Sequence, residues 1–118
     1  MKKIEAIIRT SKFSEVQEAL REAGIDFFTY VDVTGVGNEV EKGGHSYRGT
    51  VYDTSFISRQ LLTIVVRDIN VDKTVEAILK SAKTGEIGDG KIFVSTIDES
   101  FRIRNAEKGD TSLYNKAE

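Results

Sequence analysis

Residues 61–97 read LLTIVVRDINVDKTVEAILKSAKTGEIGDGKIFVSTI and contain a complete strand, helix, strand unit. The apolar run at 61–66 predicts a buried strand, and the apolar residues at helical spacing over 71–82 predict a helix. A glycine-rich turn follows, after which residues 92–97 predict another strand. This unit is one half of the expected fold.

The same order of elements occurs earlier in the chain. Residues 3–10 (KIEAIIRT) predict a strand, and Ser14 with Gln17 three positions later predicts a capping-box start of a helix that ends at Gly24. Residues 27–36 alternate aromatic and β-branched side chains, which is typical of a strand. Two such units predict an α+β, ferredoxin-like (βαβ-βαβ) fold, an antiparallel sheet with two helices on one face. The other face then needs cover, which self-association would supply.

The composition limits the possible functions. A chain of 118 residues fits a single domain over 1–118, and the net charge of -2 argues against a broad nucleic-acid surface. Without cysteine, and with His45 as the single histidine, it can form neither a disulfide framework nor a thiolate or histidine metal cluster. The N-terminus lacks the pattern of a signal peptide and no apolar run reaches the roughly 20 residues of a membrane span, so we expect a cytoplasmic protein without membrane insertion.

The segment between the two halves, residues 37–58 (GNEVEKGGHSYRGTVYDTSFIS), shows no sustained periodicity and holds four glycines. This pattern predicts a long loop. Loops beyond about 12 to 15 residues in compact domains are disordered or functional, so a functional role is expected here.

The stretch GEIGDGK at 85–91 matches the G-x-x-x-x-G-K spacing of a phosphate-binding loop. Ile92 stands where a nucleotide-hydrolysing P-loop has a hydroxyl, and a strand follows where that loop begins a helix, so a P-loop NTPase is disfavoured. The glycines still permit close approach of the backbone to phosphate, with Lys91 beside them. A plain glycine turn is the alternative.

The stretch FRIRN at 101–105 places Arg102 and Arg104 two residues apart, so on a strand both would project from the same face. A solvated edge strand is one interpretation. A clamp for a triphosphate together with Lys91 is the other, since each charge-assisted contact contributes about 1.5 to 3 kcal/mol and micromolar binding needs about 8 kcal/mol.

The chain contains MKKIEAIIR at its start, then VTGVG and YRG, and then TGEIGDGKIFV followed by RIR. With these stretches it resembles the PII signal-transduction family, the nitrogen-regulatory PII proteins. The resemblance covers nearly the whole chain. It implies a homotrimer that binds ATP or ADP in clefts between subunits, with residues 37–58 as the T-loop and an atypical tail over 105–118. The implied nucleotide contacts are Thr29 and Val65 for adenine and ribose, Gly37, the loop residues Gly88, Asp89, Gly90 and Lys91, and the neighbouring subunit's Arg102 and Arg104.

The resemblance also concerns 2-oxoglutarate, which family members bind with Mg²⁺ and ATP at the base of the T-loop. The matching positions here are Glu39 and Arg59, where the family carries glutamine and lysine. A carboxylate at position 39 predicts repulsion of this dianion unless Mg²⁺ intervenes, while Arg59 retains a positive charge. Tyr52 falls where many bacterial relatives carry a tyrosine that is uridylylated, and it is the expected modification position.

The leading hypothesis is therefore a non-enzymatic sensor whose T-loop responds to the bound nucleotide and docks on an ammonium transporter or a nitrogen-metabolism enzyme or regulator. The alternative within this fold is a divergent PII-like sensor of another adenine nucleotide or small anion with a different partner. A slow ATPase that uses Lys91 and Mg²⁺ lacks an obvious residue to position water. A nucleic-acid binder lacks the expected aromatic and basic stripe.

Overall fold

The computed structural model describes residues 1–38, 45–47, 50–52 and 54–115, and for residues 37–38, 45–47, 50–52 and 54–55 it describes the backbone alone. The strands are β1 (Lys2–Arg9), β2 (Thr29–Asn38), β3 (His45–Tyr47), β4 (Thr50–Tyr52), β5 (Thr54–Val66) and β6 (Gly90–Thr96). The helices are α1 (Phe13–Glu22) and α2 (Val71–Ala82), with short 3-10 turns at Thr10–Lys12, Asp68–Asn70 and Gly109–Leu113.

The main sheet has the strand order β2-β5-β1-β6, and its strands pair antiparallel throughout. Strand β1 occupies a central position, where Ala6 lies opposite Leu62 of β5 and Ile92 of β6. The two βαβ units thus interleave into one sheet, and this confirms the predicted ferredoxin-like fold.

Both helices pack on one face of the sheet, because buried apolar residues occupy every second position of the central strands. In β1 the buried residues are Ile4, Ala6 and Ile8, and the register places Ile64 and Leu62 of β5 beside the first two. The core combines these strand residues with helix residues that include Val16, Leu20, Ile78 and Ala82. Residues two apart on a strand share a face, so this single set of positions fixes where the helices lie.

The intervening positions form the other face, which we call the helix-free face. Its apolar members on the four strands are Ile7, Val31, Val33, Ile57, Leu61, Val65 and Phe93. Val31 and Phe93 remain 54% and 52% exposed. A sheet with apolar side chains on both faces is typical of proteins whose second face is covered by another element or another chain.

The predicted long loop over 37–58 is too long at both ends. Strand β2 continues to Asn38, which pairs with Thr54 at the start of β5, and the short strands β3 and β4 pair with each other inside the segment. Strand pairing here relies on backbone hydrogen bonds, which need no apolar periodicity, so the sequence pattern missed it. Glu39 lies outside the described residues. Tyr52 pairs with His45 through the backbone, which is the part of Tyr52 that the structure describes.

The predicted capping box at Ser14 is also wrong. Helix α1 begins at Phe13, directly after the 3-10 turn, and its N-cap Lys12 makes no side-chain capping hydrogen bond. The turn passes straight into the helix, since the Phe13 amide donates to Thr10 O. Ser14 is therefore already a helical residue.

Candidate functional site

The segment from Gly85 to Gly90 turns the chain sharply from α2 into β6. Gly85, Gly88 and Gly90 have φ values of 89°, 101° and 106°, which side-chain-bearing residues rarely adopt. A Cβ atom at Gly90 would lie 1.7 Å from the carbonyl oxygen of Ile7 on β1. Glycine is therefore required at position 90 by both conformation and space.

The Asp89 carboxylate holds this turn together from within. It accepts hydrogen bonds from the Thr84 hydroxyl and, at 2.9 Å each, from the Thr84 and Gly85 amides. Arg9 Nε donates to it from β1 at 3.0 Å. The Thr84 hydroxyl and amide, and then the Gly85 amide and Arg9, hold the pKa of the Asp89 carboxyl well below its usual range.

Two arginines bind the carbonyl groups of the turn. Arg9 Nη2 donates to Ile87 O at 3.0 Å, and Arg59 Nη2 donates to Gly88 O at 2.9 Å. In a trans peptide the C=O and N–H groups point in opposite directions, so these contacts direct the Gly88 and Asp89 amides away from the arginines. Within the described part of the chain neither amide has an acceptor. Successive free amides of this kind form an anion-binding concavity.

An open cleft of about 440 Å³, here called the loop cleft, lies beside the turn. Lys91 is exposed at its edge, next to Ile7 on β1. Its lining residues come from β1, β2, β5, the turn and the start of β6, and they are Ile7, Gly35, Val36, Ile57, Arg59, Glu86, Gly88, Asp89, Gly90 and Lys91. Gly37 follows on β2, opposite Ser55. Four of the predicted phosphate contacts, Gly88, Asp89, Gly90 and Lys91, therefore line this cleft.

A second cleft of about 630 Å³, here called the arginine cleft, lies at the start of β2 and the end of β5. Thr29, Val65 and Arg102, three of the predicted nucleotide contacts, line it together. Its other described lining residues are Gly24, Ile25, Asp26, Phe27, Thr63, Val66, Arg67, Asn70, Ser112, Leu113, Tyr114 and Asn115. The predicted adenine contacts and one arginine thus share a site.

The two clefts lie at opposite ends of the sheet. Strand β6 starts at Gly90 in the loop cleft and runs to Thr96, beyond which Ile97 bonds to Met1 and the chain leads on to Arg102. A strand of this length spans about 20 Å at 3.3 Å per residue. Among the described residues, no residue lines both clefts.

The predicted strand over FRIRN is wrong. Phe101 makes one bridge with Lys108, and residues 103–105 then form a turn that is closed by a hydrogen bond from the Ala106 amide to Arg102 O. Ala106 has φ of 60°, so the chain reverses direction here. The Arg102 side chain is mostly buried, whereas Arg104 is exposed, and the two arginines do not share a strand face.

Comparison with known proteins gives consistent matches. The family model described as "Nitrogen regulatory protein P-II" matches residues 1–107. The chain belongs to the nitrogen regulatory protein P-II family. A P-II protein of Rhodobacter capsulatus is 44% identical over 115 residues, which cover 96% of this chain and 100% of the relative. "Nitrogen regulatory protein P-II 2" of Methanothermobacter thermautotrophicus is 48% identical over 113 residues, 96% of this chain and 97% of the relative.

Several residues that shape the clefts of this P-II family chain were not predicted from its sequence. They are Arg9 and Thr84 at the glycine turn and Arg67, Tyr114 and Asn115 at the arginine cleft. Strand alternation places Arg9 on the same face as Ile7, and this signal could have found it. The tail residues carry no comparable pattern. In the described part of the chain, neither α1 nor α2 has the length and apolar character of a membrane-spanning helix.

Proposed function

We propose that this P-II family chain is a nitrogen-regulatory signal-transduction protein that binds ATP or ADP between the subunits of a homotrimer. The observation that carries the proposal is the division of the expected contacts between two ends of one sheet. The loop cleft offers amides and Lys91 for phosphate, whereas the arginine cleft offers Thr29, Val65 and Arg102. The loop cleft of one subunit next to the arginine cleft of its neighbour would form one complete site.

The helix-free face supports assembly. Its apolar side chains include two that are about half exposed, Val31 and Phe93, and burying apolar surface of this kind stabilises an interface by about 25 cal/mol per Å². The face lies between the two clefts, so association through it would bring clefts of different subunits together. Assembly and ligand binding are therefore coupled in this proposal.

The residues fit a polyphosphate ligand. The turn leaves amides free for phosphate oxygens, and a Cβ atom at Gly88 would lie 3.1 Å from Arg59 Nη2, so the glycine leaves room on that side too. Within the described residues, no three His, Cys, Asp or Glu side chains are grouped to hold a metal. Magnesium would then be bound mainly through the phosphates and water, as is common for this ion.

The signalling step follows from differential affinity. A nucleotide shifts the T-loop toward one conformation only as far as it binds that conformation more tightly. We propose that ATP and ADP favour different T-loop conformations, and that one of them docks on an ammonium transporter or a nitrogen-metabolism enzyme or regulator. Binding, rather than turnover, is then the activity of the chain.

Calorimetric titration with ATP, ADP and cyclic AMP, each with and without Mg²⁺ and 2-oxoglutarate, tests the ligand. Micromolar binding of ATP or ADP is expected, and no binding of any adenine nucleotide would overturn the proposal. Arg59 already donates a hydrogen bond to Gly88 O in the loop cleft. If 2-oxoglutarate binds to Arg59, it should therefore alter the contacts of the loop-cleft residues. Tight binding of cyclic AMP with no response to 2-oxoglutarate would favour the divergent PII-like sensor.

Subunit mixing tests the shared site. Lys91→Ala and Arg104→Ala should each weaken ATP binding, because they remove one charge from each half of the site. Trimers refolded from a mixture of the two variants should recover tight ATP binding at interfaces where both halves are intact. Two weakened variants that recover nothing after verified mixing would indicate a site within one subunit.

A further inference from the structure

The C-terminal tail, here residues 109–115, folds back onto the arginine cleft. The Gly109 amide donates to Ser100 O at 2.9 Å, and the Ser100 and Ser112 hydroxyls are 2.6 Å apart. These contacts direct the end of the tail toward the cleft, where Tyr114 and Asn115 form part of the wall. The tail lies beyond residue 107, where the family match ends.

Arg102 is bound by this tail. Its Nη1 donates to Asn115 Oδ1 at 2.8 Å, and its Nη2 donates to Thr111 O at 2.8 Å and to Tyr114 O at 2.6 Å. Glu107 Oε1 adds an ion pair at 3.3 Å, and the Arg102 side chain is 17% exposed. Three acceptors of the tail therefore surround one guanidinium.

These contacts occupy the group that a phosphate would need. A guanidinium grips an anion with two parallel N–H groups, and either available edge uses Nη2. Both hydrogens of Nη2 already go to tail carbonyls, while Nε is buried without a hydrogen-bond partner among the described residues. Arg102 can make a bidentate phosphate contact only after the tail withdraws.

A second arginine fixes the tail in place. The Arg67 guanidinium carbon lies 5.1 Å from the centre of the Tyr114 ring, within the range of a cation–π contact, and Arg67 Nε lies 3.8 Å from Asp110 Oδ2. Arg104, by contrast, is exposed and has no partner among the residues that the structure describes. The two arginines of RIR thus differ in availability.

We propose that the tail is an internal competitor of the nucleotide for Arg102, an inference that rests on the proposed function. Arg104 is available to an incoming nucleotide at once. Arg102 joins only when phosphate displaces the tail carbonyls, so each nucleotide binds more weakly than the bare cleft would allow. The competition lowers the affinity of a ligand more when its phosphates depend more on contact with Arg102. It should therefore lower the affinity of ATP more than that of AMP.

The test compares wild-type protein with a Tyr114→Ala, Asn115→Ala double variant. The variant keeps the Tyr114 carbonyl but removes two contacts that hold the tail on the cleft, the Tyr114 ring on Arg67 and the Asn115 amide on Arg102. ATP affinity should rise about tenfold, the gain expected from one released charge-assisted contact, and AMP affinity should change less. Thr111→Ala is the matched control, because it changes the same tail but leaves the Tyr114 ring and the Asn115 amide in contact with the two arginines. Adding Arg102→Ala to the double variant should abolish the gain.

Arginine modification by phenylglyoxal, mapped by mass spectrometry, gives a readout that needs no nucleotide. Arg102 should react more slowly than Arg104 in the wild type and at a similar rate in the double variant. Equal reactivity of both arginines in the wild type would overturn the proposal.

The binding results separate this proposal from the function on which it rests. Unchanged or weaker ATP binding by the double variant, with normal binding by the wild type, would overturn the role of the tail alone. Weaker binding would indicate that the tail assists the nucleotide instead of competing with it. No ATP binding by any of these proteins would overturn both proposals.

Discussion

Arg9 Nε donates a hydrogen bond of 3.0 Å to Asp89 Oδ1, although the two residues lie 80 positions apart in the chain. Arg9 ends β1 and Asp89 precedes β6, and the antiparallel register brings them together, with Ile8 opposite Gly90. The contact joins the proposed phosphate-binding turn to the central strand of the sheet. The shape of the turn therefore depends on the sheet as well as on its glycines.

This relationship predicts a pH dependence. The pKa of Asp89 is lowered in the folded protein, so its contribution to stability is complete above the unfolded pKa of about 3.9 and is lost as the pH falls toward the lower folded value. Asp89→Asn should lower the free energy of unfolding by a constant amount between pH 7 and about pH 5. The difference from wild type should shrink below about pH 4. Urea unfolding at several pH values measures this, and a difference that grows on acidification would contradict it.

The glycine turn predicts unequal effects of two similar substitutions. Gly85→Ala should lower the free energy of unfolding by about 1 to 2 kcal/mol, the cost of the positive φ alone, because nothing lies within 4 Å of its Cβ position. Gly90→Ala has the same conformational cost and also places Cβ 1.7 Å from Ile7 O, which forces β1 and β6 apart. We expect a loss of more than about 3 kcal/mol. Denaturant unfolding of both variants decides the matter, and equal losses would show that the sheet adjusts without cost.

Lys91 predicts a ligand effect without a stability effect. Its side chain is exposed, and no carboxylate among the described residues pairs with it, so Lys91→Ala should leave the unfolding midpoint nearly unchanged. ATP affinity should fall about tenfold to a hundredfold, the loss expected for one charge-assisted phosphate contact. Lys83→Ala, an exposed lysine before the turn, is the control in calorimetry. Equal, small losses for both variants would assign Lys91 to general surface charge.

The helix-free face predicts an assembly defect. Phe93 on this face and Leu79 on α2 are exposed to similar extents, 52% and 57%. Phe93→Asp should reduce the proposed trimer to smaller species, since it would bury a charge in the proposed interface, whereas Leu79→Asp should leave the assembly intact. Light scattering coupled to size-exclusion chromatography measures the masses. An intact Phe93→Asp trimer would place the interface elsewhere.

The sequence predicted the elements best where apolar periodicity and glycine chemistry were both strong. The helix over 71–82 has the predicted bounds, and the strand after GEIGDGK was expected from 92 and begins at Gly90. It failed where backbone pairing or chain reversal decided the outcome. Strand β5 extends back to Thr54 through residues with no apolar alternation, and Ala106 reverses the chain after the arginines. Neither depends on a side-chain pattern that periodicity can detect.

The two βαβ units, the position of the glycine turn and the family can all be predicted from the sequence, because they depend on residue types at fixed local spacing. Which groups are free to bind a ligand depends instead on the fold. In the fold the Asp89 carboxylate is hydrogen-bonded within the turn, and the Arg102 guanidinium is hydrogen-bonded to the tail. The loop cleft and the arginine cleft lie at opposite ends of β6. Hydrogen-bond donors and acceptors are shared among residues that are distant in the chain, so their availability follows from the fold and not from local sequence.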